Sequence, residues 1–143
     1  MQPALRQPIG FWTVRAGEAI GHRTRSRLEA AGVPQPQWWV LHQLSLHPAG
    51  VDEQTMVDTI GPNADVPTIE QAIESAIANG WVQRSGARLL STPLGRDRFA
   101  VAARIQQELE AERRAGISDA EYETTIRVLQ RTIDNVGGDA WHW

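Results

Sequence analysis

Residues 68–96 read TIEQAIESAIANGWVQRSGARLLSTPLGR, and this stretch decides the fold. Its first part places Ile69, Ala72, Ile73, Ala76 and Ile77 on one stripe of a helix with period 3.6. Gly80 stops that helix. The pattern then becomes strand-like. Trp81-Val82-Gln83-Arg84, a turn at Ser85-Gly86, and Arg88-Leu89-Leu90-Ser91 predict a two-stranded hairpin with a very short tip. Thr92 caps another helix directly after it. Two readings of the first helix start stand side by side. Asp65-Val66-Pro67 opens it, or Thr68 with Gln71 forms a capping box.

Working outward, Pro8 begins a long helical pattern over about residues 8–31, closed by Gly32. Trp12, Ala16, Ala19, Ile20, Leu28 and Ala31 recur along it. Val33-Pro34-Gln35-Pro36 reads as a turn, followed by a helix over about 37–46. Asp52 caps a third helix over about 53–60, with Met56, Val57 and Ile60 inward and Gly61-Pro62 stopping it. After the hairpin, helices are predicted over about 93–115 and 119–136, the second capped by Ser118. In that last helix Tyr122, Ile126, Leu129, Ile133 and Val136 alternate steps of four and three, a seam suited to a partner helix. The result is a single, mainly α (α+β) domain over residues 1–143.

Composition narrows the function classes. With no cysteine there is no disulfide, thiol nucleophile or thiolate metal site. The four histidines (His22, His42, His47 and His142) lack metal-ligand spacing, so no metal is expected. There is no Gly-rich phosphate loop and no Ser-His-Asp spacing, and no cofactor is expected. No apolar run is long enough for a bilayer, and residues 1–6 lack the regions of a signal peptide. The expectation is a cytoplasmic protein with no membrane partner. The net charge of −3 disfavours general affinity for nucleic acid, but leaves room for a local basic patch.

Four helices, a hairpin directly after Gly80-Trp81-Val82, and two further helices resemble the MarR/SlyA family of winged-helix transcriptional regulators. Three anchors carry the resemblance. Trp38-Trp39-Val40-Leu41-His42 is close to the family's tryptophan-to-Leu-His run. Thr68-Ile69 through Trp81-Val82-Gln83-Arg84 follows its recognition-helix-to-strand pattern. Thr92-Pro93-Leu94-Gly95-Arg96 looks like its Leu-Thr-Pro-x-Gly-Arg after the wing. The resemblance implies a homodimer held by the helices at about 8–31 and 93–136, around a winged helix-turn-helix at about 37–92. It also implies double-stranded DNA as partner, with each fourth helix in a major groove.

Charge pulls the other way. Between Arg27 and Arg84 there is no Arg or Lys, but seven acids: Glu29, Asp52, Glu53, Asp58, Asp65, Glu70 and Glu74. The outward residues of the fourth helix should be Thr68, Gln71, Ser75 and Asn79. The last three are neutral where the family commonly places Arg or Lys. The wing lacks the family's Asp-x-Arg tip, leaving Arg84 and Arg88 nearby. Thr68, Gln71, Ser75, Arg84 and Arg88 are the candidate DNA contacts. Phosphate contacts supply most DNA affinity, so the expected binding is weak or atypical and salt-sensitive.

The resemblance also implies a small-molecule site. Arg15, Trp38 and His42 stand where SlyA-like proteins contact salicylate, while Glu18 replaces a second family Arg. Trp38 and His42 share one helix face and Trp39 lies on a neighbouring one. Trp12, one turn before Arg15, could complete an aromatic wall for a planar aromatic or polycyclic ligand. Tryptophans also serve as packing residues, and Trp81 is expected beneath the hairpin. No catalytic residue is assigned. His42, Glu18 and Arg15 are the one constellation capable of acid–base chemistry, which leaves open a winged helix repurposed to bind or transform an aromatic molecule without DNA.

Overall fold

Six helices and a small antiparallel sheet follow one another among the described residues. The computed structural model describes residues 2–140, so the aromatic tail Trp141-His142-Trp143 lies outside the described residues. The elements are α1 (Ile9–Ala30), α2 (Gln35–Leu46), β1 (Val51–Asp52), α3 (Glu53–Ile60), α4 (Val66–Ala78), β2 (Val82–Ser85), β3 (Arg88–Ser91), α5 (Pro93–Arg113) and α6 (Asp119–Asn135). Short 3-10 turns occupy Ala4–Arg6 and Gly61–Asn63. The chain divides into two compact units, Met1–Gln107 and Glu108–Trp143, with the boundary inside α5.

In the first unit the helix stripes read from sequence supply the core. Leu28 of α1, Val40 and Leu41 of α2, Met56 and Ile60 of α3, and Ile69 and Ile73 of α4 are all buried. Trp81 is buried beside Val82 and Leu89 of the hairpin, as expected. Ile77, placed on the core stripe by periodicity, is only half-buried. At the wing-to-α5 junction, Thr92 N–H donates to the Trp81 carbonyl at 3.0 Å. The Thr92 hydroxyl donates to the Gly80 carbonyl at 2.6 Å and accepts from Gly95 N–H at 3.0 Å.

Three local expectations need correction, and one open alternative is decided. Helix α2 starts at Gln35, not near 37, because Pro36 sits in its first turn, where no N–H is required. Strand β1 was not anticipated; it pairs with β3 through Val51↔Leu89 and Asp52↔Arg88, giving the sheet order β1-β3-β2. A two-residue strand has no periodicity to read. The hairpin loop is Gly86-Ala87, one residue later than expected, with Ser85 still paired to Arg88 and Gly86 at φ +61°. A glycine at the first of two loop positions suits the tight turns that match strand twist. Of the two starts read for α4, the one at Asp65 holds, its Oδ1 accepting from Thr68 N–H at 2.8 Å.

The second unit holds the end of α5 and all of α6. Ser118 and Glu121 form a reciprocal capping box at the start of α6. Arg114 pairs with Asp119 and lies over the Tyr122 ring, 4.3 Å from its centre. On the predicted seam, Tyr122, Ile126, Ile133 and Val136 are exposed in the single chain, whereas Leu129 is half-buried. No helix among the described residues is long and apolar enough to cross a membrane.

Candidate ligand wall and nucleic-acid face

Trp38 and His42 lie one turn apart on α2, so their rings project from the same face. They stack with centroids 5.3 Å apart and planes 28° from parallel. Phe99 of α5 extends the stack. It lies 5.5 Å from Trp38 at an interplanar angle of 5°, and 6.5 Å from His42 at 24°. All three rings are half-buried, and a cleft of about 290 Å³ beside Phe99 runs along Leu41, Leu44, Pro48, Ser91 and Arg96. Burial lowers the His42 pKa, which favours the neutral imidazole. An uncharged, partly polar aromatic wall suits a planar ligand.

The other predicted ligand residues stand apart from this wall. Trp12, Arg15 and Glu18 lie on an exposed stretch of α1. Trp12 donates its indole N–H to Gln7 Oε1 at 2.6 Å and meets Phe11 edge-on at 5.3 Å. Arg15 lies over the Phe11 ring at 5.5 Å and does not pair with Glu18. The contacts of Trp12 and Arg15 run to Gln7 and Phe11 at their own end of the chain. Trp39 is half-buried and belongs to no ring stack among the described residues.

Of the residues read from sequence as facing outward on the fourth helix, Thr68, Gln71 and Asn79 are exposed and Ser75 is half-buried, all on one side of α4 and its C-cap. Gln71 donates to the Ser75 hydroxyl at 3.2 Å, and Asn79 reaches Gln37 of α2 at 3.3 Å. Glu70 and Glu74 are exposed on the same helix. Arg84 is engaged by two carboxylates. Its Nε and one Nη donate to Glu53 of α3 at 3.1 and 2.8 Å, and the same Nη bonds Glu74. Glu53 and then Glu74 push the Arg84 pKa up, while the Arg84 hydrogen bond lowers that of Glu74. Arg88 donates to the Gly50 carbonyl at 2.9 Å. Between residues 52 and 88 six acids face two arginines, and one of the two is already neutralised.

Sequence reading missed Phe99, Glu53 and Glu74. Phe99 is a lone aromatic within Arg96-Asp97-Arg98-Phe99, and that isolation was the available signal. The partners of Arg84 come from two other elements and left no local signal. A depressed histidine pKa has a signed consequence. Between the unfolded value of 6.5 and the lower folded value, the unfolded chain binds more protons. Stability is therefore full above that window and declines as pH falls through it. The melting temperature should drop by a few degrees from about pH 7 to about pH 5, and His42→Gln should flatten this limb. An identical limb in the variant would assign it to other groups.

No family profile and no curated protein matches the sequence. Solved structures do match its fold. CouR from Rhodococcus jostii RHA1, solved bound to p-coumaroyl-CoA, is 22% identical with a TM-score of 0.74, covering 90% of this chain and 94% of that one. A MarR family protein of Mycobacterium tuberculosis in complex with DNA is 18% identical with a TM-score of 0.69, covering 92% and 99%. The same protein in complex with p-aminosalicylic acid matches with a TM-score of 0.68 at 18% identity, covering 88% and 98%. The fold is that of the MarR-type winged-helix regulators.

Proposed function

We propose that this chain, with its MarR-type winged-helix fold, is a ligand-responsive homodimeric transcriptional regulator that binds double-stranded DNA weakly or atypically. The ligand is a small planar aromatic molecule seated against Trp38, His42 and Phe99. The near-parallel stack of these three rings is the observation that carries the reading. Homodimer formation is supported by apolar surface left uncovered on single elements: Phe11, Trp12, Val14 and Ile20 on α1, and Ile126, Val128 and Ile133 on α6. A second copy is the partner these helices fit, so the particle should weigh near twice the 15.9 kDa of one chain.

One observation favours a second reading, a winged helix that binds its aromatic ligand without DNA. Arg84, the cation nearest α4 on the wing, is held by Glu53 and Glu74. No comparable observation stands behind the catalytic version of that reading, and Arg15 is taken up by the Phe11 ring. Both readings share the ligand wall, which is tested by titrating tryptophan fluorescence with p-coumarate and p-aminosalicylate. Saturable quenching is expected, mostly lost in Trp38→Phe. His42→Ala should weaken binding about tenfold, the effect of losing roughly 1.4 kcal/mol of contact. Unchanged affinity in both variants would put the ligand elsewhere.

A further inference from the structure

A second cleft, of about 580 Å³, opens between the end of α2, helix α3 and the β1–β3 pair. It shares no residue with the aromatic wall or the cleft beside Phe99. Gln43 lines it and is only 9% exposed, yet its side-chain amide makes no hydrogen bond among the described residues. Its amide atoms are not sealed off, so water or a ligand in the cleft can complete their hydrogen bonds.

Two opposite charges line the same cleft. Asp52 and Arg88 are register partners on β1 and β3, so their side chains share one face of the sheet. They do not close into an ion pair among the described residues. Asp52 instead caps α3, its Oδ1 accepting from Gln54 and Thr55 N–H at 3.0 and 3.2 Å, which leaves Oδ2 available. Arg88 uses one terminal nitrogen on the Gly50 carbonyl at 2.9 Å, which leaves the rest of its donor fork. His47 donates its Nδ1–H to the Gln43 carbonyl at 2.9 Å, so its Nε2 is an acceptor when the ring is neutral. Met56 and Val51 supply apolar lining.

An anion alone would meet Asp52 here, and a cation alone would meet Arg88. A molecule carrying both charges satisfies both. We propose that this cleft binds a small zwitterion with an apolar substituent, of the α-amino-acid class. Its carboxylate lies on Arg88 and its ammonium on Asp52 Oδ2 and His47 Nε2. The Gln43 amide completes the ligand's hydrogen bonds, and the substituent rests on Met56 and Val51.

The test is calorimetric titration of the full chain with L-phenylalanine and L-leucine, each beside its des-amino acid and its decarboxylated amine. Both amino acids should saturate the protein and bind at least about tenfold more tightly than either analogue, because each analogue forfeits one charge-assisted contact. Asp52→Asn keeps an N-cap residue and removes the charge, so the preference over the des-amino acid should vanish. Arg88→Gln should remove the preference over the amine, and Gly17→Ala, outside the cleft, should leave all affinities unchanged. In amide NMR the Gln43 side-chain resonances should shift on saturation. Absence of saturation by both amino acids at millimolar concentration would overturn the proposal. So would analogues that bind the wild type as tightly, or binding that follows His42→Ala and not Asp52→Asn. The analogue comparison in wild-type protein holds even where a variant fails to fold.

Discussion

Gly95→Ala should lower the melting temperature by about 10 °C, the largest effect expected of any single methyl group in this chain. A Cβ at residue 95 would lie 1.9 Å from the Trp81 carbonyl oxygen and 2.8 Å from its carbon. Both are backbone atoms, so no rotamer relieves the overlap. The start of α5 would have to move off β2, breaking the Thr92 N–H bond to Trp81 at 3.0 Å and the hydroxyl bond to Gly80 at 2.6 Å. Two lost hydrogen bonds at about 1 kcal/mol each, plus overpacking of about 1–3 kcal/mol, outweigh the roughly 1 kcal/mol that alanine gains as a helix former. Gly17→Ala is the control. A Cβ there meets nothing within 4 Å, so that variant should melt at or slightly above the wild type. A Gly95→Ala protein that melts with the wild type would contradict the close approach at this junction.

Glu53→Gln with Glu74→Gln should raise DNA affinity, by about tenfold to a hundredfold at low salt. Both carboxylates pair with Arg84, so a phosphate now competes with two anions for one guanidinium. The pair positions are more than a third exposed, which makes their value for folding small and the variant's fold safe. For DNA the consequence is larger, because each released arginine can displace a counterion. Two such arginines in a dimer should steepen the slope of log affinity against log salt by about 2. Anisotropy of a labelled duplex across a salt series reads both quantities. A variant with wild-type affinity and slope would mean that Arg84 is not held back from DNA by these acids.

The parts of the fold legible in the sequence were those set by local period and punctuation. The Ile69–Ile73 stripe of α4, the switch to the hairpin, the Asp52 and Ser118 caps and the α5 start depend on residues a few positions apart. Strand β1 was not legible, since two residues pairing across the chain with Leu89 and Arg88 carry no repeat. The aromatic wall was half legible. Trp38 and His42 are one turn apart, but Phe99 joins them only through the packing of α5 against α2. Family resemblance puts Arg15 and Glu18 at that wall, and spacing from Arg15 puts Trp12 there, whereas in the single chain all three lie on the exposed part of α1. A second copy against that helix is what the proposed dimer adds. Arg84 illustrates the limit most clearly. The sequence marks it as a rare cation just after the α4 stretch, but only the fold brings Glu53 and Glu74 onto it.

The most direct test of a MarR-type regulator with weak DNA binding is selection from fragmented genomic DNA at two salt concentrations. At about 50 mM salt the wild-type protein should enrich fragments that share an inverted repeat, and at about 200 mM the enrichment should disappear. Failure to enrich any sequence at either concentration would contradict the regulator and leave the DNA-free ligand-binding protein in its place.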